Sequence, residues 1–182
     1  MRLVISLTLI ALSILILTCS KEKATEDDGI ILIEDLLVEN NEITGWTYYG
    51  TNWVANNITE LTTYINGAAD LYQRHGFEEA AHQAYEGSID DATRFLSVTV
   101  YNMGSESHAG DTYDDPETGL GGATDWTDGA GQRAHYIRYG GLSQILAFHS
   151  DAYFVYLEIN YDSDESLNIL KQFALNIDGK IQ

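Results

Sequence analysis

Hydrophobic and polar residues alternate in the middle of the chain. Leu96, Val98 and Val100 alternate with polar side chains, which is the period-two pattern of a strand with one buried face. A turn at 87–90 is expected to join this strand to the one before it. The segments with strand-like patterns are 45–50, 77–86, 94–102, 132–139, 143–149 and 152–160.

An early segment, from about 59 to 75, predicts a helix. Asn57 or Thr59 is suited to cap it, because a short side-chain acceptor satisfies a free N–H of the first turn. Gly76 is suited to end it in the left-handed conformation. Gly67 in the middle costs about 1 kcal/mol relative to alanine, so we expect a kink or break there.

A second helix is predicted near the C-terminus. Asp164 or Ser166 is its expected cap, and Gly179 its expected end. One apolar stripe runs along this segment and consists of Leu167, Leu170, Phe173, Ala174 and Ile177.

Consecutive strands with one early and one late helix favour an α+β fold over an alternating α/β fold. The prediction is an antiparallel sheet of five or six strands with both helices on one face, in a single domain over 30–182. Residues 104–130 are rich in Gly, Asp and Thr, which predicts a long, exposed acidic loop. An N-terminal signal helix is expected to precede the domain.

The N-terminus has the pattern of an export signal. Arg2 is followed by the almost entirely apolar stretch 3–17, which is too short to span a bilayer as a helix. The stretch ends in Ile16-Leu17-Thr18-Cys19, which resembles the processing site of a bacterial lipoprotein signal peptide. This resemblance implies a signal peptide over 1–18, lipid attachment at Cys19 and a polar tether over 19–29.

The residue after Cys19 bears on location. Ser20 is not the Asp associated with inner-membrane retention, so an outer-membrane anchor is expected, with the periplasmic and surface sides both left open. Several acyl chains, at about 0.8 kcal/mol per buried methylene, give a stable anchor. An uncleaved helix and ordinary secretion are the alternatives.

Charge and cysteine content exclude several classes of protein. The chain has 182 residues with 9 basic and 28 acidic side chains, a formal charge of −19. Binding to a nucleic acid backbone needs clustered Lys and Arg, so we expect no nucleic acid partner. A single Cys allows no intrachain disulfide and no zinc site built on paired cysteines.

The segment Tyr64-Ile65-Asn66-Gly67-Ala68-Ala69-Asp70-Leu71-Tyr72, followed by Gly76-Phe77, resembles a bacterial family of domains of unknown function. Gly45-Trp46 and the stretch 100–104 extend the similarity, which covers about 44–178. The resemblance implies an exported domain and brings no activity with it.

Two interpretations of this segment are open. In the first, Gly67, Ala68 and Ala69 let the helix approach the sheet closely, and Asp70 pairs with Arg74 along one helical face. In the second, the polar members of the segment line a ligand pocket, whose candidate residues are Tyr64, Asn66, Asp70 and Tyr72.

No motif for a resident cofactor is present. The five His residues are scattered, without an HExxH pattern or a cluster of two His and a carboxylate. Calcium is a weaker possibility, because hard oxygen ligands are dense in the acidic loop, although the EF-hand order is absent. The candidate ligands are Asp111, Asp114, Asp115, Asp125 and Asp128.

The function expected from these observations is a non-enzymatic binding or interaction module of the bacterial cell envelope. It is held at the membrane by lipidated Cys19 and serves an envelope protein or a small ligand. Alternatives are an envelope hydrolase that uses a carboxylate such as Asp70 with Tyr or His, and a calcium-binding surface protein. An aromatic platform for a sugar or peptide is a further candidate, formed by Trp46, Tyr48, Tyr49, Trp53 and Trp126.

Overall fold

A computed structural model describes residues 31–182 of the chain. The predicted signal helix, the lipid attachment at Cys19 and the tether all lie outside these residues. Within 31–182, no helix combines the length and the apolar character needed to cross a membrane.

The domain is α+β and is built on one open antiparallel sheet of seven strands, in the order β1-β2-β3-β7-β6-β5-β4. Every neighbouring pair is antiparallel. The strands are β1 Thr47–Ala55, β2 Glu79–Ile89, β3 Ala92–Asn102, β4 Thr124–Asp125, β5 Arg133–Arg138, β6 Gln144–Ser150 and β7 Tyr153–Ile159.

Four α-helices accompany the sheet. They are α1 Ile58–Ile65, α2 Ala69–Arg74, α3 Glu106–Asp114 and α4 Asp164–Ile181. Short 3₁₀ turns precede β1, separate α1 from α2, and follow α3.

The helices pack on both faces of the sheet. Val98 and Leu157, which are cross-strand partners, lie on the face covered by α4, which we call the α4 face. The next partners along the same strands, Tyr101 and Phe154, point the other way into a second core with α1, α2 and α3, the α3 face. Alternation of side chains along each strand therefore supplies two cores from one sheet.

The core of the α4 face is apolar and closely packed. Phe173 of α4 is fully buried and meets Trp46 edge-on at 5.8 Å and Tyr85 at 4.9 Å between ring centroids. The buried polar pair on this face is satisfied, because the Ser150 hydroxyl donates to the Asp178 carboxylate at 2.7 Å.

The predicted strands are largely confirmed, and the predicted number and arrangement are not. The sheet has seven strands rather than five or six, since β1 is longer than predicted and β4 is added at an edge. The first hairpin turns at Asp90 and Asp91, both with positive φ, rather than at 87–90. The prediction of two helices on one face is wrong, because strands β6 and β7 carry apolar residues on both faces.

The early helix behaves as local chemistry predicts. Asn57 caps α1 by accepting a hydrogen bond from the backbone N–H of Glu60 at 3.0 Å. The expected break occurs at 66–68, where Asn66 has φ 51°. Gly67 has open space around it and Ala69 is buried, so close packing of the small residues is limited to Ala69.

The C-terminal helix has the predicted apolar stripe but different ends. Ser163, rather than Asp164 or Ser166, caps it by accepting from the backbone N–H of Ser166 at 3.0 Å. Gly179 does not end it, and the helix continues to Ile181. Interior glycine costs only about 1 kcal/mol, which the buried stripe outweighs.

The prediction that 104–130 is one exposed loop is wrong for its first third, which forms α3. Ser105 caps this helix through the backbone N–H of His108 at 3.2 Å. Ala109, Thr112 and Tyr113 form its buried side. The residue types favour loops, so packing against β6 and β7 stabilises this helix more than helix propensity does.

Candidate functional site

A cavity of about 750 Å³ lies at the β4–β5 edge of the sheet. The C-terminal end of α3 and β5 form its walls, and the loop 114–132 closes it. Because β4 is only two residues long, this edge of the sheet leaves room that a full strand would fill.

Tyr113 is the central side chain of the cavity wall. It is 6% exposed, and its ring stacks on His135 of β5 with 4.1 Å between centroids. The Arg133 guanidinium lies 4.6 Å from the same ring, and His149 approaches its edge at 5.4 Å. Side chains from α3, β5 and β6 therefore meet around the Tyr113 ring.

Arg133 is held in place by two partners. Its terminal nitrogens donate to both carboxylate oxygens of Asp114, at 2.9 and 2.7 Å. Its Nε donates to Nε2 of His149 at 3.2 Å, which places the His149 proton on Nδ1. The bidentate pair fixes the guanidinium in plane and lowers the pKa of Asp114.

Polar atoms around Tyr113 have no partner among residues 31–182. They are the Tyr113 hydroxyl, Nε2 of His135 and Nδ1 of His149; the two imidazole atoms are also buried. Buried polar groups normally find hydrogen bonds, because leaving one unpaired costs about 1–3 kcal/mol. A set of unpaired groups beside a cavity is typical of a binding site.

Burial keeps these groups uncharged near neutral pH. It lowers the pKa of both His135 and His149, since a charged imidazole is poorly solvated there. Burial raises the pKa of Tyr113 to about 12, with Asp125 and Asp114 contributing in the same direction. At pH 7 the cavity wall thus contains the neutral imidazole of His135 and the neutral phenol of Tyr113, and the neutral His149 lies at the edge of the Tyr113 ring.

Carboxylates outnumber cations on the cavity wall. Asp114, Asp115, Asp125 and Asp128 line it together with one guanidinium, that of Arg133.

Two of these four carboxylates are engaged. Asp114 pairs with Arg133, and Asp115 accepts from His75 at 2.8 Å and from Arg74 at 3.2 Å. The hydrogen bond from His75, then that from the Glu117 backbone, lower the pKa of Asp115 to about 2. Asp125 and Asp128 have no side-chain hydrogen bond or ion pair within the described part of the chain.

Two loop glycines allow the cavity to form. Gly131 has φ 62°, and a Cβ there would lie 2.1 Å from the backbone oxygen of His149, so a larger residue would push the loop off β6. A Cβ at Gly129 would lie 2.5 Å from the Trp126 ring, so only glycine fits against that ring. Close packing therefore explains these two glycines of the loop.

The structure does not gather the four residues predicted as a pocket. Tyr64 is 47% exposed and stacks on Trp53 at 4.5 Å, whereas Tyr72 is buried and stacks on Tyr101 at 3.9 Å. Asn66 and Asp70 are exposed, and Arg74 pairs with Asp115 and Glu117 rather than with Asp70. The hydrolase hypothesis based on Asp70 therefore has no sheltered cleft.

The calcium candidates are only partly brought together. Asp111 is exposed on α3, and the other four line the cavity. Within 31–182, no group of three or more His, Cys, Asp or Glu side chains is placed to hold a metal ion. Because Ca²⁺ takes six to eight oxygen ligands, the arrangement does not favour it.

The predicted aromatic platform is dispersed over the molecule. Trp46 is in the core of the α4 face, while Tyr48 and Tyr49 are about half exposed on β1. Trp53 lies between Tyr64 and His82, with both rings parallel to it within 7°. Trp126, the last of these candidates, lines the cavity and packs against Gly129.

Sequence reasoning missed Tyr113, Arg133, His135 and His149 as a set. His135 and Arg133 alternate along β5, which places them on one face of the strand, and β6 carries His149 opposite Arg133. That alternation is visible in the sequence. The approach of Tyr113 is not, because it depends on the unpredicted helix α3.

The fold and the site together define an α+β domain with a half-enclosed acidic cavity at one sheet edge. No family model, no curated protein and no solved structure matches this chain.

Proposed function

We propose that this chain is an exported bacterial lipoprotein, anchored through Cys19, whose body over 31–182 is a ligand-binding module without catalytic activity. The proposal joins the N-terminal sequence pattern to the cavity beside Tyr113.

The N-terminal pattern supports the anchor. Arg2, the apolar stretch 3–17 and Cys19 follow each other in the order of a lipoprotein signal. Removing 1–18 leaves 8 basic and 28 acidic side chains, a formal charge of −20. Such a charge keeps the body soluble and away from anionic headgroups, so the acyl chains carry the attachment.

One observation supports binding above all: polar side chains without hydrogen-bond partners line a cavity of the size that small ligands occupy. Tyr113, the neutral imidazole of His135 and the carboxylate of Asp125 line it and come from three separate elements, α3, β5 and β4. Ligand sites in proteins typically measure about 300–1,000 Å³ and contain a few fixed polar groups.

A hydrolase is the second candidate, and the neutral His135 beside Tyr113 and Asp125 favours it. General base catalysis requires a hydrogen bond from the nucleophile or its water to the base. Within residues 31–182, no Ser or Thr hydroxyl is bonded to His135. Binding therefore ranks first.

The anchor is tested by metabolic labelling of the full chain with an alkyne analogue of palmitate in a bacterium that processes lipoproteins. We expect a labelled product that begins at Cys19 by intact mass. Cys19→Ser should abolish the label completely, because the chain has no other cysteine.

Ser20→Ala is the matched control and should keep the label, since it preserves the thiol next to it. An unlabelled wild-type product that retains Met1, or a label that persists in Cys19→Ser, would contradict the anchor.

A further inference from the structure

The carboxylates that line the cavity beside Tyr113 indicate which class of ligand it would bind. Asp125 lies directly opposite His135 in the β4–β5 ladder, and Asp128 follows on the same loop. Neither carboxylate has an ion-pair partner among residues 31–182. An anionic ligand would meet four carboxylates and a single guanidinium that Asp114 already occupies.

Acidic residues alone do not make a site, and Tyr113 supplies the independent observation. Tyr113 is only 6% exposed, it lines the cavity, and its hydroxyl has no hydrogen-bond partner in the described chain. A hydroxyl in that position accepts a hydrogen bond from a ligand N–H as readily as it donates one.

Stacking of a sugar ring is not available in this cavity. His135 covers one side of the Tyr113 ring, and the Arg133 guanidinium lies 4.6 Å from its centroid. Trp126 is covered by Gly129, and the Lys171 ammonium lies 5.0 Å from its ring. Saccharide sites usually depend on a free aromatic face, so a neutral sugar fits less well than a cation.

We propose that this cavity binds a small organic cation, an amine or guanidinium, through Asp125, Asp128 and the Tyr113 hydroxyl. The inference rests on the proposed binding function and names its ligand class. Hydrogen bonds from a charged N–H to carboxylates are the strongest available in such a site, and the Tyr113 hydroxyl accepts from a remaining N–H group.

The experiment is calorimetric titration of the full chain, purified in a non-ionic detergent, with putrescine as the probe. We expect a saturable site that Asp125→Asn weakens by about tenfold or more, since it removes a charge-assisted hydrogen bond. Tyr113→Phe keeps the ring packing and should weaken binding by about threefold to tenfold. A melting curve for each variant establishes that it is folded.

Asp91→Asn is the matched control. It makes the same change of charge on a hairpin turn outside the cavity, in a left-handed position that Asn also tolerates. We expect it to change putrescine affinity by less than about twofold. Equal weakening by Asp91→Asn and Asp125→Asn would overturn the proposal, because it would mean diffuse attraction to an acidic surface.

Three other outcomes overturn the ligand class: no saturable putrescine binding, saturable glucose binding that Tyr113→Phe weakens, or calcium binding that Asp125→Asn weakens. The last two would leave the proposed binding module intact and change only its ligand. The palmitate experiment is unaffected by any of them, so failure of the anchor and failure of the ligand class are separable.

Discussion

Helices α4 and α3 pack against opposite faces of the same two strands, β6 and β7, but they differ in length and in the number of residues they bury. Helix α4 has 18 residues and a continuous apolar stripe that reaches Trp46 and Tyr85 through Phe173. Helix α3 has 9 residues and buries only Ala109, Thr112 and Tyr113.

Buried polar atoms without partners occur on both faces. On the α4 face, Ser150 and Asp178 satisfy each other at 2.7 Å, whereas Oε1 of Gln144 has no partner among residues 31–182. On the α3 face, Nε2 of His135 and Nδ1 of His149 have none, and His135 lines the cavity. The two faces therefore differ in packing, with the longer apolar stripe on the α4 face and the cavity on the α3 face.

The largest effect is expected from Phe173→Ala on the α4 face. Removing a fully buried ring leaves a cavity against Trp46 and Tyr85, and we expect a loss of about 3–5 kcal/mol in the free energy of unfolding. Urea unfolding of the full chain measures it. Leu175→Ala, on the same helix but 50% exposed, should change stability by less than about 0.5 kcal/mol. Similar losses in both variants would contradict the view that the buried stripe on the α4 face stabilises the fold.

A smaller effect is expected from Ser150→Ala. It leaves the Asp178 carboxylate without its buried donor, although the amide of Gln182 still donates to the other oxygen at 3.0 Å. We expect a loss of about 1–3 kcal/mol by thermal or urea unfolding. Ser88→Ala, on an exposed position of β2, is the control for the same atom change and should be nearly neutral. A neutral Ser150→Ala would show that the α4 face does not depend on this pair.

The smallest effect concerns the pH dependence of the α3 face. Burial, then the Arg133 charge, lower the pKa of His149 below the ordinary histidine value of 6.5. The unfolded chain therefore takes up a proton near pH 6.5 that the folded chain takes up only at lower pH. The stability that neutral His149 contributes is complete above about pH 6.5 and is lost as the pH falls below it.

We expect the free energy of unfolding, measured with urea at pH 7, 6 and 5, to decline less steeply in His149→Gln than in the wild type. The difference cannot exceed about 1.4 kcal/mol per pH unit for one proton. Asp91→Asn is the control, because it changes a charge without removing an imidazole. Its free energy of unfolding should change with pH as steeply as that of the wild type. Parallel slopes for His149→Gln and wild type would mean that this imidazole is not held neutral.

Local features of the fold were predictable because their causes are local. The strand at β3, the Asn57 cap of α1 and the break near Gly67 each follow from a few neighbouring residues, and the structure confirms them. The prediction that β3 has a single buried face is wrong, because Tyr101 is buried on the α3 face as Val98 is on the α4 face. Element ends were less predictable. Gly179 lies inside α4 because the buried stripe, rather than the intrinsic preference of one residue, decides where that helix ends.

The candidate site was predictable only in part. Acidic residues of 111–128 were singled out by composition, and four of them do line the cavity. The other residues of the site were not predictable. Arg133 and His149 come from neighbouring strands, and Tyr113 comes from a helix whose residue types favour a loop.

The amino-acid sequence by itself determined the α+β class, most of the strands and the strongly acidic character of this chain, and it carries the pattern on which the proposed anchor rests. Periodicity, turn chemistry and charge are properties of short segments, so they can be recognised from the amino-acid sequence alone. Only the tertiary structure decided that helices cover both faces of the sheet and that Tyr113, His135 and Asp125 share one cavity. Those contacts join segments far apart in the chain, and their free energy comes from packing that no short segment contains.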